Sequence, residues 1–257
     1  MLPAIAFCPT PPLLVPEVAA GAAAELEPLR AACREAVRRL LATAPDEVVV
    51  IATGPVSSQF PPGTIGTLAG YGLPLSATLP SPPARVRPSG RLARRAHYLS
   101  GPVGAVAAAV PLGVTLGAWL LAGADAYCSA FAVGPEAEPA VFGAALDVAD
   151  RRRALLVMGD GSARRSERAP GYVDPRAEPF DAAVAAALGT ADAAALAGLD
   201  PVLGSALLAD GVPAWRTAAA AVLAADESGA DRSYEAELLY DAAPYGVGYF
   251  VATWLAP

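Results

Sequence analysis

A chain of 257 residues with a net charge of −7, no lysine, and arginine as its only fixed side-chain cation argues against a nucleic-acid partner. Hydrophobic residues make up 54% and charged residues 17%, ample for a sizeable core, yet no stretch reaches the ~20 uninterrupted apolar residues of a membrane span. The longest candidate, Val103 to Ala124, is broken by Pro111 and four glycines. Cys8, Cys33 and Cys128 have no metal-type spacing and the N-terminus lacks the basic region of a signal peptide, so a single cytoplasmic domain over residues 1–257 is expected, with no membrane partner.

In chain order, Leu2 to Phe7 predicts a short apolar strand that stops at Cys8-Pro9-Thr10-Pro11-Pro12, a turn too proline-rich to continue a ladder. Leu26, Leu29, Cys33, Val37 and Leu40 recur at helical spacing and predict a helix packed on the sheet. The β-branched run Val48 to Ala52 suits a parallel strand covered on both faces, ending at Thr53-Gly54-Pro55. Prolines and glycines make Phe60 to Gly101 a region of loops with one strand over Leu73 to Leu79. It carries Arg85, Arg87, Arg91, Arg94 and Arg95, an anion-attracting cluster or a solvated face, and His97, the one histidine.

A buried helix follows from Leu112 to Ala122, then a strand from Ala126 to Val133, a helix from Pro139 to Arg151 and a strand from Ala154 to Met158. This alternation predicts an α/β fold: a single domain with a mostly parallel, helix-covered central sheet. Further helices are expected from Arg176 to Leu188, with Asp174 as N-cap and Pro175 in the first turn, from Pro201 to Gly211, and from Pro213 onward. Ser233 to Tyr240 and Tyr245 to Trp254 predict a C-terminal antiparallel strand pair, in which Gly246 and Gly248 mark close backbone packing.

The candidate site lies in the polar stretch Gly159 to Asp181. A buried strand ending in Gly159-Asp160-Gly161-Ser162 puts a carboxylate and a hydroxyl at the carboxyl edge of the sheet, where open α/β folds bind ligands. Asp160 is the candidate general base if burial raises its pKa, Ser162 a hydrogen-bond donor to a ligand, and His97 a further catalytic candidate. Thr10, Thr53 and Gly54 end two other strands and are expected to line the opposite wall, with Tyr172, Glu178, Asp181 and Tyr245 as further ligand contacts. The chain holds neither a Gly-x-Ser-x-Gly elbow nor a phosphate-binding glycine loop.

Three blocks in order, Phe-Cys-Pro-Thr-Pro-Pro-Leu-Leu-Val-Pro-Glu at the start, Gly-Asp-Gly-Ser with Ala-Pro-Gly-Tyr and Ala-Glu-Pro-Phe-Asp in the middle, and Pro-Tyr-Gly-Val-Gly-Tyr-Phe-Val near the end, resemble the class III extradiol dioxygenase superfamily. The resemblance is to its subunit-B-like members and, at greater distance, to Memo proteins. It implies a central-sheet α/β domain and, in active relatives, a ferrous ion held by two histidines and a carboxylate. Thr10, Gly54 and Ala163 stand where those relatives carry histidines, so no metal and no cofactor is expected. A substitute site of Asp160, Glu178 and Asp181 would favour magnesium or calcium.

The reading that follows is a metal-free protein that binds, with or without chemistry by Asp160, Ser162 and His97, a small aromatic or carbonyl-bearing molecule in the vacated pocket. One alternative is a non-catalytic, Memo-like interaction protein. The other is an iron-dependent ring-cleaving enzyme completed by a partner subunit, and a homo-oligomer is compatible with each.

Overall fold

The computed structural model describes residues 2–81, 109–146, 151–227 and 233–257, so His97 and the arginines from Arg85 to Arg95 lie outside the described residues. The chain opens with β1 (Ala4–Cys8), turns through the prolines, and passes by the short α1 (Pro16–Ala19) into α2 (Glu27–Ala42). On α2, Leu29, Cys33, Ala36, Val37 and Leu40 face the sheet, while Glu35 pairs with Arg38 and Arg39 on the solvent side. Next come β2 (Glu47–Thr53), the edge strand β3 (Ser58–Phe60), a small hairpin of β4 (Ile65–Thr67) and β5 (Ser76–Thr78), and α3 (Leu112–Leu120). After these follow β6 (Tyr127–Val133), α4 (Pro139–Leu146), β7 (Arg153–Met158), α5 (Ala177–Thr190), α6 (Ala193–Ala197), α7 (Pro201–Ala206), α8 (Val212–Glu227), β8 (Glu235–Ala242) and β9 (Tyr249–Leu255).

The seven-stranded sheet has the order β3-β6-β2-β7-β1-β9-β8. Its centre, β6-β2-β7-β1, is parallel, and antiparallel strands close both ends. The expected α/β domain with a mostly parallel sheet and a C-terminal antiparallel pair is what the chain adopts. Alternation along each central strand divides the core: Val48, Val50 and Ala52 of β2 join Ala6, Cys8 and Met158 under α2 and α3, whereas Val49 and Ile51 join Phe7, Leu155 and Val157 under α5 and α8. The run Val48 to Ala52 is apolar at every position because both faces are covered.

Register positions the site. Cys8 pairs with Met158 and Met158 with Ala52, so one row crosses β1, β7 and β2 at their carboxyl ends. Thr10, Asp160 and Gly54 each lie two residues past that row and therefore share one edge and one face. The ladder between β1 and β9 ends with Phe7 opposite Ala252, and beyond it Gly161 N–H donates to Gly248 O, which brings the β7 exit beside the start of β9 at Tyr249.

Several local expectations are corrected. The strand expected over Leu73 to Leu79 shrinks to Ser76–Thr78 and pairs with a strand that the sequence pattern did not signal, since three-residue strands carry no readable alternation. The helix from Pro201 ends at Ala206, because Leu208 takes a left-handed φ of 56°. Asp174 is not the N-cap of α5. That place falls to Arg176, whose backbone N–H and guanidinium both donate to the Asp174 carboxylate, so Asp174 closes a turn ahead of the helix.

Candidate functional site

The strand ends carry the site. Past the ladder, Gly159 N–H donates to Cys8 O at 3.0 Å and holds the β7 exit against β1. The Thr10 N–H then donates to Asp160 Oδ1 at 2.5 Å. The segment before α8 completes the frame: Gly211 N–H donates to Asp160 O at 2.8 Å, and the Thr53 hydroxyl donates to Asp210 O at 2.6 Å. Thr10, Thr53 and Asp160, far apart in sequence, are thus joined through at most one intervening peptide.

Asp160 remains partly accessible, yet the body of the protein surrounds its carboxyl group. Loss of hydration pushes its pKa up to about 7, the nearby Asp210 charge adds to the rise, and hydrogen bonds from Thr10 oppose it. A carboxyl that titrates near neutrality at a strand edge can accept or donate a proton at ordinary pH. Tyr249, 4% exposed at the start of β9, lies in the field of the same carboxylate and of Tyr245 and Tyr240. Burial first, and then the Asp160 charge, hold its hydroxyl in the protonated form.

Ser162 and Asp181 form a second arrangement that faces inward. Ser162 is 0% and Asp181 1% exposed. The Ser162 N–H donates to Asp181 Oδ1 at 2.8 Å and its hydroxyl to Oδ2 at 2.7 Å. Gly161 N–H donates to Gly248 O and Gly248 N–H to Ser162 O, which fastens this turn to the segment leading into β9. Both carboxylate oxygens are engaged by the turn, with Arg165 Nε 3.8 Å from Oδ2, so the pair acts as a clamp beneath the edge. Burial nevertheless raises the Asp181 pKa, against the lowering by Ser162 and Arg165.

The remaining candidates stand apart. Glu178 is exposed and lies 3.7 Å from Arg165. Tyr172 is 90% exposed, with its carbonyl oxygen accepting from Arg164. The Tyr245 hydroxyl donates to Glu25 at 3.1 Å. Sequence reasoning missed Tyr249 and Asp210 as site residues. Tyr249 had a signal, its place in the Pro-Tyr-Gly-Val-Gly-Tyr block, whereas Asp210 had none, because its neighbours at the edge come from distant strands.

Iron of the two-histidine type does not fit the residues present. A Cβ added at Gly54 would lie 2.8 Å from the Ala132 Cβ and 3.3 Å from Pro111, so neighbouring side chains already occupy the space an imidazole stem needs. Among the described residues no three His, Cys, Asp or Glu side chains gather to hold a metal ion. Two clefts, of about 370 and 360 Å³, lie elsewhere: one beside Arg38, Glu235 and Thr253, the other beside Ser76, Trp119 and Gly123.

Fold and edge together define an α/β protein with a parallel central sheet and a carboxyl group of raised pKa at its carboxyl edge. No protein-family model matches the chain, and no curated protein matches it.

Proposed function

We propose that the chain is a metal-free relative of the class III extradiol dioxygenases that binds a small carbonyl-bearing or aromatic molecule at the strand edge around Asp160. One observation carries this reading: Asp160 combines partial accessibility, a pKa of about 7 and a fixed orientation from Thr10. Desolvated carboxyl groups of this kind concentrate at sites that handle ligands and protons. The resemblance of the three sequence blocks supplies the ancestry, while Thr10, Gly54 and Ala163 remove the histidines on which iron chemistry rests. Binding and proton transfer then fall to Asp160, which donates a hydrogen bond below about pH 7 and accepts one above it. Ser162 serves by holding the turn that presents Asp160.

A second reading has its own observation. The Gly54 wall is filled by Ala132 and Pro111, as suits an interaction protein of the Memo type that has closed its ancestral pocket. Ligand-observed NMR with a panel of small ketones, aldehydes and phenols separates the two. The proposal expects signals that weaken in Asp160→Ala, whereas a panel without any binder favours the interaction reading. Iron analysis after reconstitution with ferrous ion completes the test. Stoichiometric iron together with catechol ring cleavage would overturn the metal-free assignment.

A further inference from the structure

We propose that the cleft between the C-terminal half of α2 and the paired strands β8 and β9 binds a free, zwitterionic α-amino acid with an apolar side chain. This site is separate from Asp160, which stands at the carboxyl ends of the parallel strands, whereas the cleft lies toward the amino end of β1.

Register builds the cleft. Thr253 of β9 is matched with Ala6 of β1 on one side and with Glu237 of β8 on the other, and Leu255 with Ala4 and Glu235. Thr253 and Leu255 alternate with Ala252 and Trp254, which belong to the core under α5 and α8, so both face α2 on the side of Val251. There the two strands and Arg38, Arg39 and Ala42 of α2 line a cleft of about 370 Å³, a volume that suits a small molecule. Its floor points to a ligand. Thr253 is 1% exposed, and among the described residues its hydroxyl has no hydrogen-bond partner. A buried hydroxyl left without a partner is costly, and an oxygen of a bound molecule supplies one.

The rim selects the charge. Arg39 donates through Nε to Glu35 at 2.7 Å and through Nη1 to Glu237, and Arg38 also pairs with Glu35. Guanidinium groups therefore stand on the helix side of the cleft and the carboxylates of Glu235 and Glu237 on the strand side. A simple anion meets repulsion from the two glutamates and a simple cation from the two arginines, whereas a molecule with one charge of each sign satisfies both sides. The ligand carboxylate accepts from Thr253 and Arg39, its ammonium donates to Glu237 and Glu235, and its apolar side chain lies against Ala42 and Leu255. Displacing the Arg39–Glu237 pair costs little, because ion pairs whose side chains are 25% and 56% exposed are weak.

Calorimetric titration of the full chain with L-leucine tests the site against two analogues that each lack one charge, 4-methylpentanoate and 3-methylbutylamine. L-Leucine is expected to bind, and each analogue to bind at least about tenfold more weakly, as for the loss of a hydrogen bond to a charged group. Thr253→Val keeps the shape of the side chain and removes the hydroxyl. It should weaken L-leucine about tenfold and leave the thermal midpoint of the free protein unchanged or higher, because a hydroxyl without a partner contributes nothing to the fold. Arg39→Gln should weaken binding to a similar extent. An analogue that binds as well as L-leucine overturns the zwitterion assignment, and so does wild-type protein that fails to bind L-leucine. A Thr253→Val variant that keeps full affinity, or that is less stable than wild type without ligand, shows that the hydroxyl serves the fold and overturns the inference. None of these outcomes bears on Asp160, which is tested by its own panel at the other end of the sheet.

Discussion

At the scale of single residues, Asp160 and Asp181 show how environment separates two carboxylates only 21 positions apart in sequence. The Asp160 side chain has one fixed partner, the Thr10 N–H, whereas Asp181 is closed on both oxygens by Ser162. Removing Asp181 strands two buried donors, and each unsatisfied donor costs about 1–3 kcal/mol. Asp181→Ala is therefore expected to lose about 3 kcal/mol in urea denaturation. Asp181→Asn should lose clearly less, because its amide still accepts from the Ser162 N–H and the hydroxyl can rotate to accept from the amide. Equal losses in the two variants would show that volume, and not hydrogen bonding, dominates there.

At the scale of elements, α3 lies close on β2 because its inward face carries glycine. A Cβ at Gly117 would come within 2.5 Å of Val50 Cγ1, and one at Gly113 within 2.7 Å of the Ala52 Cβ. Helix propensity alone favours Gly117→Ala by about 1 kcal/mol. Overpacking a rigid interface costs about 1–3 kcal/mol, and Val50 is β-branched in a central strand with little freedom to move. We expect the net effect to be destabilising by about 1 kcal/mol or more, read as a lower urea midpoint with unchanged m-value. A stabilised variant would mean that α3 can slide on the sheet without loss. A Cβ added at Gly113 would also come within 3.3 Å of Thr10 Cγ2, so the seat of this helix bears on the position of the site threonine.

At the scale of the whole molecule, titration has a direction. Asp160 rises from an ordinary 3.8 to about 7, and Asp181 is also raised. A raised acid keeps its proton in the folded state after the unfolded chain has lost it. The folded state then binds more protons, and stability falls as pH rises through that window. Glu35 and Asp174, held at about 2 by neighbouring arginines, work in the opposite sense below pH ~4, but they are solvated and weak. The expected optimum is therefore acidic, about pH 4 to 5, with a decline toward neutrality. Urea midpoints across this range check it. Asp160→Asn should flatten the decline, and a wild-type midpoint that climbs between pH ~4 and ~7 contradicts the raised pKa.

Much of the scaffold was legible in the sequence because its signals are local. The apolar run Val48 to Ala52, the spacing of Leu29, Cys33, Val37 and Leu40, and the alternation of strands and helices each depend on a few neighbouring residues and determine the α/β class. The same is true of Asp160 at a strand end, since a carboxylate after a buried apolar run must leave the sheet at its edge. Tertiary structure decided the rest. Whether Gly54 is a vacancy or a filled wall depends on Ala132 and Pro111, about 78 and 57 positions away, whose approach no local pattern encodes. The division of labour between Asp160 and Asp181 likewise came from which backbone N–H reached which oxygen. Tyr249 entered the site only through strand order, because β9 lies beside β1 although nearly the whole chain separates them. Burial and partner choice are sums over distant segments, and they exist only once the sheet has been assembled.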